Sequence, residues 1–135
     1  MTMEQKKSEF QLKRQTLTTL ERQKESEIQK DILDYLKAKG YTHWRSYVGP
    51  IVRGGHGGRR PQFSKNPMAG YPDVTGFLLN EPNQMFCMEI KTKKGIVSDE
   101  QIKWHKLLIE HGVIVMIPKS VEEAINTMEL MEIDC

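Results

Sequence analysis

Several residue patterns are missing from this chain, and each absence removes a class of protein. Its 135 residues include only two cysteines, Cys87 inside an apolar run and Cys135 at the last position. That excludes a disulfide framework as the source of stability. The four histidines and two cysteines show none of the paired spacings of a zinc site. No apolar run approaches the roughly 20 residues of a membrane span, and the polar first residues lack the apolar core of a secretory signal. Internal repeats and low-complexity segments are absent as well. The expectation is one compact cytoplasmic domain, 38% hydrophobic, with room for a single core.

Charge is missing locally. The formal net charge is only +2, yet residues 41–70 contain five bases (Arg45, Arg53, Arg59, Arg60, Lys65) and no acid, whereas residues 121–135 contain five acids and no base. A block of one sign favours a polyanionic partner. Within it, Arg53-Gly54-Gly55-His56-Gly57-Gly58-Arg59-Arg60 is too rich in glycine for a stable helix or strand. It is read as a mobile loop that orders on DNA. Arg53, His56, Arg59, Arg60 and Lys65 are the candidate DNA contacts, joined by Lys93 and Lys94. Each phosphate contact adds about −0.9 to the salt slope of binding.

The most informative stretch is Gly70-Tyr71-Pro72-Asp73, followed sixteen residues after Asp73 by Glu89-Ile90-Lys91. Between them, Val74 to Leu79 and Met85 to Lys91 are β-prone apolar runs separated by the turn signal Asn80-Glu81-Pro82-Asn83. Pairing these strands brings Asp73 beside Glu89. Alternation along the second strand directs Glu89 and Lys91 to one face and Ile90 to the other. Two carboxylates suit a hard divalent ion such as Mg²⁺ or Mn²⁺, with the Ile90 carbonyl as a further ligand. An adjacent ammonium can orient or deprotonate a water, or neutralise charge developing on phosphate.

The remaining pattern is helical or strand-like in turn. Ile28, Ile32, Tyr35 and Leu36 predict a helix from Ser26 to Lys39, stopped by Gly40. A short strand is expected around Trp44 to Val48. Ser98-Asp99-Glu100-Gln101 is a capping box that opens a second helix. That helix takes its apolar side from Ile102, Trp104, Leu107, Leu108 and Ile109, turns His105 and His111 to solvent, and ends at Gly112. Val113 to Ile117 is expected as a buried strand and Val121 to Met131 as a closing helix. The order implies an α/β domain, a mixed sheet flanked by helices. Residues 1–24 read as a charged extension, either a frayed helix, an arm toward a partner subunit or disorder, and residues 25–135 as the domain.

Gly70-Tyr71-Pro72-Asp73, Glu89-Ile90-Lys91, Gly95, Ser98 and Gln101 together resemble the VRR-NUC branch of the PD-(D/E)xK nuclease superfamily, over a match from about Glu25 to about Ile125. The resemblance implies a restriction-endonuclease-like domain and a Mg²⁺- or Mn²⁺-dependent endodeoxyribonuclease. In that scheme Asp73 and Glu89 hold metal, Lys91 assists the nucleophilic water, and Gln101 lies near the metal. One departure stands out: the family's Val-Arg-Arg strand is replaced by Val115-Met116-Ile117-Pro118-Lys119-Ser120. Small stand-alone relatives, often phage-encoded and acting in the bacterial host cell, imply a homodimer that cuts Holliday junctions. Two other readings stay open, a flap or nicking nuclease of loose specificity and an inactive DNA-binding accessory protein.

Sites of this type commonly take one acid from the first helix. At 100° per residue the apolar face of that helix centres near the direction of Glu25. Glu25 is therefore the expected third carboxylate, with Gln29 as its neighbour and Glu27 as the fallback. Stabilisation of the first turn by the helix dipole accounts for Glu25 equally well.

Overall fold

The computed structural model describes residues 24–133, together with Thr2 and Gln5. Most of the charged extension expected for residues 1–24, and Cys135, lie outside the described residues. The first helix, α1, is helical through residues 24–39. Ile28, Ile32 and Leu36, spaced four apart, are its buried stripe. It closes with a Schellman arrangement: the Gly40 amide donates to Lys37 O at 3.1 Å and the Tyr41 amide to Leu36 O at 3.0 Å. Gly40 takes φ +83°, a conformation that disfavours any residue with a Cβ.

Six short strands follow: β1 (His43–Arg45), β2 (Ile51–Arg53), β3 (Gln62–Ser64), β4 (Val74–Phe77), β5 (Met85–Met88) and β6 (Ile114–Met116). The main sheet has the order β1-β4-β5-β6, with β1, β4 and β5 antiparallel and β5–β6 parallel. A parallel pair needs a crossover, and helix α2 (Asp99–Glu110) supplies it. Helix α3 (Val121–Met131) closes the fold. Residues 24–133 are thus mixed α/β, with a mixed sheet and three helices among them.

The two faces of the sheet differ in kind. Val74, Phe86, Met88, Ile90 and Met116 belong to the apolar core with Ile28, Ile32 and Leu36 of α1 and Ala124 and Met128 of α3. Tyr41 meets the Phe86 ring edge-on at 5.9 Å. The Val, Leu, Ile, Phe and Met side chains of this core, where fully buried, contribute about 1.5–3 kcal/mol each. Thr75 and Cys87, a cross-strand pair, face the other way. There the Tyr71 hydroxyl lies 2.9 Å from Thr75 Oγ1, and Tyr71 meets Trp104 of α2 edge-on at 5.2 Å. The Trp104 indole donates to Ala69 O at 3.0 Å.

Three expectations need correction. The first strand is His43–Arg45 and not Trp44 to Val48; its pairing with β4 ends one step on, where the Ser46 amide donates to its register partner Asp73 O at 3.0 Å. The glycine-rich stretch is not an isolated loop. Arg53 belongs to β2, and the stretch forms the end of a separate β2–β3 ribbon with Ile51, Val52 and Arg53 opposite Ser64, Phe63 and Gln62. On α2, Ile102, Leu107 and Ile109 are exposed and His105 is buried. That helix sits on the polar face of the sheet, where a histidine finds a partner and a leucine gains less.

Candidate active site

Asp73 owes its position to the three residues before it. Gly70 has φ +89°, and a Cβ there would lie 2.8 Å from the backbone carbonyl of Glu100. Glycine is therefore required both for the turn and for the close approach of α2. Pro72 is buried, and Asp73 follows half-buried at the start of β4. Since Val74 pairs with Met88, the next antiparallel step sets Asp73 against Glu89. Asp73 Oδ2 accepts the Ile90 amide at 2.8 Å. Ile90 itself is buried in the core, so its amide serves the site while its side chain anchors the strand end.

Glu89 and Lys91 continue the pairing of β5 with the β6 side beyond the strand. The Glu89 amide donates to Met116 O at 2.9 Å and the Lys91 amide to Pro118 O at 3.2 Å. Glu89 is only 2% exposed. Burial, then the hydrogen bond and negative charge of Asp73, push its carboxyl up to about 9. Glu25 pushes it the same way, and Lys91 opposes both. The electrostatics thus connect α1, the hairpin and the lysine in one locus. Glu25 is exposed, as is Glu27.

His105 completes the buried side of this locus. Its Nε2 lies 3.4 Å from Glu89 Oε1. Burial, reinforced by the charge of Lys91, lowers the histidine pKa. The expected solvent-facing orientation of His105 is therefore wrong. The signal that could have found it is helical spacing, since His105 lies one turn beyond Gln101 on the same side of α2.

The other expected residues divide. Gln101 forms the capping box: its Oε1 accepts the Ser98 amide at 2.8 Å and its own amide donates to Ser98 Oγ at 3.2 Å. Its carboxamide oxygen is thereby spent on the helix terminus. The Gln29 carboxamide, its oxygen turned toward Arg45, accepts from Arg45 Nε at 2.7 Å. Arg53, His56, Arg59 and Arg60 lie on the exposed ribbon, and Lys93 and Lys94 in the exposed turn after Lys91. Lys65 is paired with Glu100 of α2.

Among the described residues no three His, Cys, Asp or Glu side chains cluster tightly enough to form a metal cage. A Mg²⁺-type site needs less, one or two carboxylates with water and substrate oxygens. The donor set fits that requirement: two adjacent carboxyls, one of them buried, whose desolvation and mutual repulsion a cation in place of the shared proton would relieve. No protein-family model, curated protein or solved structure matches the chain, so the reading of the site rests on its own residues.

Proposed function

We propose that this chain is a divalent-metal-dependent endodeoxyribonuclease, a stand-alone nuclease of the VRR-NUC type with a restriction-endonuclease-like domain. The observation that carries the reading is the pair Asp73–Glu89 at the open end of the β4–β5 hairpin, locked by the 2.8 Å bond from the Ile90 amide to Asp73 Oδ2. Asp73 and Glu89 would hold the ion, with the Ile90 carbonyl and Glu25 at its margin. When bound, the ion supplies Lewis-acid polarisation of the phosphate and a lowered pKa for water.

The chain's own groups do the rest. Asp73 is oriented by the Ile90 amide, and the buried Glu89 by His105. Lys91, on the same strand face as Glu89, offers an ammonium to the charge that builds on the phosphate oxygens as the phosphodiester bond breaks. The bases of the ribbon and of the turn at Lys93 and Lys94 supply attraction to the DNA backbone without reading sequence. Branched DNA, cut symmetrically by a homodimer at a four-way junction, is the substrate that the resemblance favours.

The test is cleavage of a labelled four-way junction, a flap and a matched linear duplex with Mg²⁺ or Mn²⁺, alongside Asp73→Ala and Lys91→Ala. Symmetric junction nicks lost in both variants support the reading. Flap cleavage lost in both keeps the chemistry and changes the substrate. Binding with no cleavage of any substrate under either metal overturns it.

A further inference from the structure

The β2–β3 ribbon carries a feature that cleavage chemistry does not use. Val52 and Phe63 are direct cross-strand partners and so project from one face of the ribbon. They are 54% and 68% exposed. This apolar pair stands in a segment with five bases and no acid between residues 41 and 70, on an arm whose end carries Arg59 and Arg60.

The base of the arm is tied to the body of the fold beside the candidate site. Asn66 Nδ2 donates to Tyr47 O at 3.0 Å, the Tyr47 hydroxyl to Pro50 O at 2.7 Å, and Lys65 pairs with Glu100. The chain leaves β1 at Ser46, whose amide is bonded to Asp73 O, and returns through Gly70 to Asp73 itself. The ribbon is therefore an arm rooted at the catalytic edge. Its reach, at about 3.3 Å per residue over roughly seven residues, is on the order of 20 Å.

A phosphate backbone alone would call for the arginines and leave an exposed phenylalanine without use. An apolar protein surface would call for the phenylalanine and be ill served by so many cations. Nucleic acid whose base faces are open beside its phosphates satisfies both. In matched duplex those faces are covered by stacking, whereas at a branch or mismatch they are accessible. We propose that the ribbon docks on DNA at a point of broken stacking, its arginines on phosphates and Val52–Phe63 packed against an uncovered base face. This deepens the nuclease reading and rests on it for the choice of DNA as partner.

The experiment measures wild-type and variant binding, in EDTA, to a four-way junction, a duplex with a mismatch bubble and a matched duplex of equal length. Phe63→Ala is expected to weaken junction and bubble binding on the order of 10-fold and matched-duplex binding less than twofold. Phe63→Trp should keep junction affinity, its added emission quenched on binding. Circular dichroism confirms folding of both variants. Equal affinities for wild type and Phe63→Ala, or equal losses on all three DNAs, overturn the proposal. So does a loss accompanied by dissociation from dimer to monomer in sedimentation, which would assign the pair to a subunit interface. Cleavage is read separately with Mg²⁺. Selective loss of junction binding in a protein without nuclease activity would leave this inference standing and sink the nuclease reading.

Discussion

His105 Nε2 and Glu89 Oε1 face each other at 3.4 Å across the interface between α2 and the end of β5, both out of reach of bulk water. A buried carboxyl with one oxygen held by an imidazole has its other oxygen aimed, which is how outer partners commonly orient a metal-binding carboxylate. His105→Leu should fold, since the site is buried, yet weaken Mn²⁺ binding about 10- to 100-fold. His105→Gln, which keeps a donor, should recover most of it. Calorimetric titration with Mn²⁺ checks both, and equal affinity in the leucine variant would deny His105 any orienting role.

The proton on Glu89 links stability to pH. Its folded pKa, about 9, lies above the ordinary 4.5, so the folded state binds the proton more tightly than the unfolded state. This contribution is fully present below pH 4.5 and is lost as pH rises toward about 9. His105, with its pKa lowered from 6.5, works in the opposite sense and costs stability as pH falls below that value. In EDTA, urea unfolding should therefore show wild type losing stability from pH 6.5 to 9 relative to Glu89→Gln. In buffers of different ionisation enthalpy, Mg²⁺ binding near pH 7.5 should release protons from wild type.

Gly70 should tolerate no side chain. Alanine there meets both an unfavourable φ of +89° and the Glu100 backbone at 2.8 Å. Left-handed strain and overpacking together are expected to cost about 2–4 kcal/mol. Chemical denaturation of Gly70→Ala measures this, and a loss below 0.5 kcal/mol would mean that the turn can relax away from α2.

Glu132, just past α3, clamps the turn after β4. Its Oε1 and Oε2 each accept a backbone amide at 2.8 Å, from Leu79 and Asn80, and Oε1 also takes the Tyr41 hydroxyl at 3.2 Å. Glu132→Ala is expected to cost about 1–3 kcal/mol, and Glu132→Gln less. Burial and the Glu132 charge raise the Tyr41 phenol, so the alanine variant should also ionise at lower pH in a spectroscopic titration of tyrosine.

What could be read in the sequence was what local pattern encodes. The β4–β5 hairpin followed from two apolar runs around a turn signal. The α1 stripe and the Ser98 cap followed from spacing and capping residues. The proximity of Asp73 and Glu89 needed only that hairpin. Glu132 was invisible because its partner Asn80 lies 52 positions away and no local pattern links them. The ribbon was hidden by its glycines, which depress strand propensity where cross-strand pairing decides. His105 was misplaced because hydrophobicity marks a buried face only where the opposing surface is apolar. The polar face formed by Thr75, Cys87 and Glu89 reverses that signal.

That polar face also makes the molecule energetically two-sided. On one side, α1 and α3 share a continuous apolar core with the sheet. On the other, α2 leaves Ile102, Leu107 and Ile109 to solvent and is tied down by polar and aromatic contacts such as Trp104 to Ala69 and His105 to Glu89. Amides of α2 should therefore exchange with deuterium through partial openings well below the global unfolding free energy, ahead of those in α1 and β5. The helix that orients Glu89 is then also the piece of the fold that lifts away first.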